Sequence, residues 1–133
     1  MRTAALKLAA SHPADQLFAA VADATRLRIL SLLRGGELCV CDLVEVLRLP
    51  QPKVSRHLSV LRDAGLVEQR IELNWRHYSL TMPRTALHRK LLECVACCTE
   101  CVPQVRSDQN RLDQRAPCCT PAQSFLNVKL AKR

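Results

Sequence analysis

Gln51-Pro52-Lys53-Val54-Ser55-Arg56-His57-Leu58-Ser59-Val60-Leu61-Arg62-Asp63-Ala64-Gly65 reads as one helix with its own start and stop. Pro52 suits the first turn, where a missing N–H costs nothing. Val54, Leu58 and Leu61 recur at i, i+4 and i+7, which makes one apolar stripe. Gly65 ends the helix. Upstream, Leu38 to Leu49 predicts another helix, with Leu38, Leu43, Val46 and Leu47 apolar, joined by a turn at Leu49-Pro50. Downstream the period drops toward two. Leu66–Glu72 and Arg76–Thr81 alternate polar and apolar residues, with Leu73, Asn74 and Trp75 between them, as in a two-stranded hairpin. Helix, short turn, helix and hairpin make a mainly α winged helix-turn-helix.

Working outward, Ala14 to Gly35 predicts two more helices. Leu17, Phe18 and Val21 share one face, Leu27, Leu30 and Leu33 another, and Asp23 and Thr25 can cap the junction. Residues 1–12 suggest a peripheral helix. Pro83 introduces a last long helix that runs to about Val102. Residues 103–121 hold three prolines and no period, which predicts a mobile segment, and the last dozen residues suggest a short basic helix. The expected organisation is a DNA-binding and dimerisation domain over 1–102 and a flexible Cys-containing tail over 103–133.

The 133 residues carry 20 Lys/Arg against 12 Asp/Glu, a net charge of +8, and 48% are hydrophobic, enough for a core. Phe18, Trp75, Tyr78 and Phe125 are the only aromatics, too few to stack single-stranded bases. Two helices and a hairpin also occur in domains that bind no DNA, and charge decides between the readings. Residues 48–90 hold nine Lys/Arg and three Asp/Glu, so +6 of the +8 lies in a third of the chain. That bias favours duplex DNA. A helix in the major groove reads bases from its N-terminal residues, so Gln51, Lys53, Ser55 and Arg56 are candidates, with Arg62 further along. His57 borders the packed stripe and suits packing as well as DNA contact. Arg70, Asn74 and Arg76 fall on the wing, where backbone or minor-groove contacts belong.

Eight cysteines in a chain this short suggest either disulfide staples or reactive thiols. The N-terminal segment has no signal-like apolar run, since His12, Pro13, Asp15 and Gln16 interrupt it. No stretch approaches the ~20 apolar residues of a membrane span. The expectation is a cytoplasmic protein with reduced thiols. Cys39 and Cys41 stand in Glu37-Leu38-Cys39-Val40-Cys41-Asp42-Leu43 at a helix start. On an ideal helix, i and i+2 point about 200° apart, so gripping one ion would distort the first turn. That turn supports the recognition helix, so capture would strain the DNA-reading geometry. The helix N-terminus favours thiolate.

Three segments, Ala22-Asp23-Ala24-Thr25-Arg26-Leu27-Arg28-Ile29-Leu30, Glu37 to Leu43, and Gln51 to Leu58, resemble the ArsR/SmtB family of metal-responsive repressors. The likeness covers roughly residues 14–100 and is strongest to the arsenical-resistance operon repressors. It implies a homodimer that sits on double-stranded operator DNA when metal-free. It also implies release when As(III) or Sb(III), as inducer, binds thiolates at Cys39 and Cys41. The family's arsenic repressors often carry a third Cys three residues further on, where this chain has Val44. A pnictogen(III) ion favours three thiolates, so a third ligand must come from elsewhere. Ala24 replaces a common Pro. The family's cadmium/lead branch adds Cys near the N-terminus, but here none precedes Cys39. The zinc branch's Asp-x-His pair is absent around His88.

Cys94, Cys97, Cys98 and Cys101 are spaced i, i+3, i+4 and i+7, one face of one helix. Leu87, Leu91, Cys94, Cys98, Cys101 and Val105 step by four and three, a heptad seam that suggests a dimer interface through terminal helices. The same face suggests a second soft-metal site, and Cys97-Cys98 and Cys118-Cys119 add vicinal thiols suited to trivalent arsenic. A redox-responsive or a Cd/Pb-responsive repressor on this scaffold is the competing reading. C-x-x-C also marks dithiol oxidoreductases, but there it follows a strand in a βαβ unit, and none is legible here. The chain is therefore expected not to be an enzyme and to need no catalytic cofactor.

Overall fold

Local chemistry sets most of the element boundaries. The computed structural model describes residues 13–115. In chain order it contains α1 (Pro13–Val21), α2 (Ala24–Leu33), β1 (Leu38–Cys39), α3 (Val40–Leu47), α4 (Gln51–Asp63), β2 (Val67–Glu72), β3 (Trp75–Leu80), α5 (Ala86–Ala96), α6 (Cys98–Cys101) and α7 (Pro103–Gln114). Asp23 caps α2, its side chain accepting the Arg26 N–H at 3.1 Å. Thr85 caps α5 in the same way through the His88 N–H at 3.1 Å. Gly65, at φ 81°, ends α4 in the left-handed region that favours glycine. The expected helices over 1–12 and the last dozen residues lie outside the described residues.

Helix α2 buries Ile29, Leu30, Leu32 and Leu33 at the centre of the core. Val54, Leu58 and Leu61 of α4 are all fully buried, as their spacing predicts. On α1, Leu17 and Ala20 are buried, but Phe18 is 53% exposed and does not share their face. The expected hairpin forms, and a third strand joins it in the antiparallel order β1-β3-β2. Glu72 pairs with Trp75, so Trp75 opens β3 and the turn shrinks to Leu73 and Asn74. Leu73 takes φ 57°, the left-handed geometry of a tight hairpin turn.

Strand β1 shortens the helix expected over Leu38–Leu49. Leu38 pairs with Tyr78 and Cys39 with His77, so α3 begins only at Val40. Two-residue strands carry no period, and their apolar residues merged into the helical pattern.

The C-terminal part departs most from expectation. A single helix from Pro83 to Val102 does not form. α5 stops at Ala96, Cys97 caps it, α6 is one turn, and Pro103 opens α7. A proline removes one intrahelical N–H and clashes with the preceding turn, so the chain bends before it and starts a new helix at it. The bend carries α7 back onto α2 and α3. Pro103–Gln114 is thus an ordered helix, not the mobile segment its composition predicts. Val105 is buried and Leu112 packs on the core, and the polar anchor is one acid. Asp108 is fully buried and bonds both Arg28 Nε (2.7 Å) and Arg28 Nη2 (2.8 Å), as well as Arg111 Nη2 (2.6 Å). Arg111 Nε donates to the Val46 carbonyl at 2.7 Å. The Asp108 hydrogen bond also raises the Arg28 pKa. Among the described residues, no helix is long and apolar enough to cross a membrane.

Removing one partner of a buried pair leaves the other charge uncompensated and costs about 3–5 kcal/mol. Asp108→Ala should therefore lower the unfolding free energy by about 3 kcal/mol, measured from urea titrations. It should also expose the 103–115 segment to proteolysis.

Candidate functional site

The recognition helix α4 packs through Val54, Leu58 and Leu61, and this fixes what it presents outward. Gln51, Lys53, Arg56 and Arg62 are exposed, and Ser55 is half-buried. Arg62 Nη1 donates to the Gln69 Oε1, which also accepts from Tyr78 Oη at 3.0 Å. Arg62 therefore ties α4 to the hairpin and orients the two elements together. His57 is half-buried and faces inward. Its Nδ1 lies 3.3 Å from Arg26 Nη1 and 3.9 Å from an Asp23 oxygen. Arg26 in turn donates to the Ala20 carbonyl at 2.6 Å and the Ala19 carbonyl at 3.3 Å. His57 thus packs α4 against the α1–α2 junction. Burial pushes its pKa down; Asp23 pulls the other way, and the cations of Arg26, Lys53 and Arg56 add to the depression.

On the wing, Asn74 and Arg76 are exposed. Arg70 is engaged otherwise. Its Nη2 and Nε reach the two oxygens of Glu37 at 2.6 and 3.1 Å, and its Nη1 bonds Glu72. Those carboxylates raise the Arg70 pKa, Glu37 more than Glu72. Arg70 therefore braces the wing root against the segment before β1 and presents less uncompensated charge to a phosphate than Arg76 does.

Cys39 and Cys41 meet where the sheet hands over to α3. Cys39 belongs to β1 and is the N-cap of α3, with extended φ and ψ of −84° and 161°; Cys41 lies in the first turn. Because Cys39 sits outside the helix, the 200° separation of an ideal helix does not apply, and no distortion is needed to bring the sulfurs together. In the structure they form a disulfide with Cα atoms 5.4 Å apart. Cys39 is 1% exposed and Cys41 half-buried. Asp42 lies beside them, 4% exposed. Its Oδ2 accepts the Cys39 N–H at 3.4 Å and lies 3.3 Å from Cys39 Sγ. Its Oδ1 is held by Arg115 Nη1, and Arg115 Nε reaches Glu45 at 2.9 Å.

Cys39, Cys41 and Asp42 each offer a ligand atom within 4.8 Å of the others, the one such group of three among the described residues. Two thiols side by side suit a soft, thiophilic ion; the carboxylate is a harder donor already engaged by the α3 N-terminus and Arg115. The structure does not gather Cys94, Cys97, Cys98 and Cys101 in the same way. They divide between α5, its cap and α6, with Cys98 half-buried and the other three exposed. Burial raises the Cys98 pKa, and the neighbouring thiols of Cys101, Cys97 and Cys94 add to it. Cys118 and Cys119 lie outside the described residues.

Sequence reasoning missed Asp42, Arg115, Glu37 and the Arg28–Asp108–Arg111 cluster. Asp42 was findable, because an acid three residues after an N-cap is the far half of a capping box. The contacts of Arg115 with Asp42 and of Arg28 with Asp108 span more than seventy residues and leave no local pattern.

Residues 23–69, from the α2 cap through α4 into β2, match the model of the family described as bacterial regulatory proteins of the arsR family. The arsenical resistance operon repressor of Escherichia coli is 48% identical over 79 residues, which cover 59% of this chain and 68% of that one. Among solved structures, HlyU from Vibrio cholerae is 35% identical with a TM-score of 0.56, over 62% of this chain and 87% of that one. The homodimeric winged helix-turn-helix DNA-binding domain Mb0332 from Mycobacterium bovis is 25% identical with a TM-score of 0.56, over 77% and 86%. A recognition helix and wing in this arrangement, with that match across them, make the chain a member of the arsR family of bacterial regulatory proteins.

Proposed function

We propose that the chain is a homodimeric transcriptional repressor that holds operator DNA when metal-free and lets go when Cys39 and Cys41 capture As(III) or Sb(III). One observation carries this reading. Cys39 is at once the last residue of β1, paired to His77 of the wing, and the N-cap of α3, which packs on α4. A ligand held there borders the wing directly, through the β1–β3 pair, and the recognition helix at one remove, through α3. A bound ion at the cap is an added group that its surroundings must accommodate, and that change reaches α4 through α3 and the wing through the β1–β3 pair. Capture requires the dithiol, so a small-molecule thiol reductant must first open the Cys39–Cys41 disulfide, supplying two electrons and two protons. The exposed Gln51, Lys53 and Arg56 suit the major groove, and Asn74 and Arg76 suit the flanking backbone or minor groove. Nothing in this reading calls for catalysis.

A redox variant has its own support, since the same two sulfurs are joined in the structure. In that variant a disulfide-forming oxidant, not a metalloid, releases the DNA.

Operator release, followed by fluorescence anisotropy, separates these readings. Arsenite should release the reduced wild type but not Cys39→Ser/Cys41→Ser, while Cys97→Ser/Cys98→Ser should respond as the wild type does. Full release of Cys39→Ser/Cys41→Ser by arsenite would sink the primary site. Release of wild type by oxidant alone would favour the redox variant, and by Cd(II) alone a divalent-metal sensor.

The salt dependence gives a second check. Lys53→Ala, Arg56→Ala and Arg76→Ala should each flatten the log–log salt slope of DNA affinity by up to about one unit for each phosphate that is no longer neutralised. Arg70→Ala should change that slope less, because Glu37 and Glu72 already engage its charge. An unchanged slope in all four variants would contradict the assigned face.

A further inference from the structure

We propose that Leu73, at the tip of the wing, is an apolar wedge that enters the minor groove of operator DNA and opens a base step beside the half-site read by α4. The wedge rests on the reading that this face holds operator DNA, and it does not depend on the thiol centre. An apolar residue stands here where the backbone disfavours one. The hairpin turn is two residues long, Leu73 and Asn74, because Glu72 pairs with Trp75. Leu73 sits there at φ 57°, and it and Arg48 are the two non-glycine residues with positive φ among the described residues. A Cβ at such a φ is crowded, so glycine or asparagine is the usual occupant of a turn position of this kind. Leucine gains nothing by burial in return, since it is 76% exposed. Neither the turn nor the core accounts for it, which leaves a contact outside the chain.

The surroundings identify that contact as duplex DNA. Ile71 of β2 is 62% exposed and pairs with Arg76, so an aliphatic group and a cation share one face just behind the tip. Asn74 and Arg76 are both exposed. An aliphatic tip flanked by Asn and Arg is the composition that wedges a minor groove: the polar groups read its A·T edge, and the apolar side chain slides between bases. The reach fits as well. Arg62 of α4 is tied to Gln69, four residues before Leu73. At 3.2–3.4 Å per strand residue, the tip stands ~13 Å beyond that tie. With α4 in the major groove, the next minor groove lies half a helical turn, about 17 Å, away. A leucine side chain covers the remaining few ångströms.

Insertion has its own energetic signature. An apolar contact releases no counterions, so it adds affinity without adding to the salt slope, whereas a cation such as Arg76 adds to both. Unstacking is easiest at the flexible pyrimidine–purine steps, TA and CA/TG. The wedge therefore adds a preference for such a step at a position that no hydrogen bond reads. It also kinks the duplex toward the major groove, and hence around α4.

The test uses the full chain, reduced, and a duplex that the wild type selects from a random library. Leu73→Gly and Leu73→Asn both suit the turn, so urea unfolding should show them at least as stable as wild type. Each should bind the duplex about tenfold more weakly, with an unchanged salt slope. Leu73→Met should keep wild-type affinity. A fluorescent adenine analogue at the step beside the half-site should brighten on binding wild type and Leu73→Met, and stay dim with the other two. Replacing a TA step there by GC should weaken wild type and leave Leu73→Gly unchanged. Wild-type affinity in Leu73→Gly and Leu73→Asn, or a flattened salt slope in them, would overturn the proposal. So would a shift of those variants from dimer to monomer in sedimentation, which would seat the tip on a second copy of the chain. Lys53→Ala and Arg56→Ala tell the two levels apart. If both bind like wild type, the DNA-facing assignment itself fails; if they weaken binding while Leu73→Gly does not, only the wedge fails.

Discussion

A carboxylate shut away from solvent organises the docking of α7, the last helix among the described residues. Asp108 comes from a helix with little apolar surface to bury, yet it draws Arg28 of α2 and Arg111 of α7 onto itself. Burying such a charge alone would be prohibitive, so its two partners and the carbonyls they also reach have to be in place together. That requirement fixes where α7 lies. It also brings the end of α7 over the start of α3, where Arg115 reaches Asp42 and Glu45. The environment of the thiol centre thus depends on an ion pair formed near the other end of α3, where Arg28 and Arg111 reach the Leu47 and Val46 carbonyls.

The second constraint is positional. Cys39 serves a strand and a helix at once, and Asp42 binds its backbone as a cap. Few other places in the fold would let one residue touch both the wing and the support of the recognition helix. The Arg70–Glu37 pair adds a brace between the wing and the segment leading into β1. Arg62 and Gln69 add another between wing and α4. The DNA-facing elements are therefore joined to each other at several points, and a disturbance at the α3 cap meets a connected unit, not a loose hairpin.

Much of this was legible in the residues. The α4 stripe, the hairpin and the start of α2 follow from period, proline and capping chemistry, all of which act over a few positions. The parts that were not legible share a cause. β1 is two residues long and borrows its identity from pairing with β3. The break at Cys97 and the new helix at Pro103 replace a pattern that looked like one heptad seam. α7 reads as polar and disordered because its docking rests chiefly on a charge whose partner lies eighty positions away. At the site, the spacing of Cys39 and Cys41 read as two thiols on opposite sides of a helix, because the extended backbone at Cys39 leaves no local signal, and Arg70 looked like a free cation until Glu37 and Glu72 were seen around it. His57 sat on the border of the stripe, and its contacts with Arg26 and Asp23 place it inside.

The ionic docking of α7 has a thermal consequence. Apolar contacts carry a large heat-capacity change and weaken on cooling. The part of the contact made by Asp108, Arg28, Arg111 and Arg115 carries much less of that signature than Val105 and Leu112 do, and the cost of desolvating its charges falls as temperature rises. The helix that borders the thiol centre should hold its place with little variation between cold and warm growth.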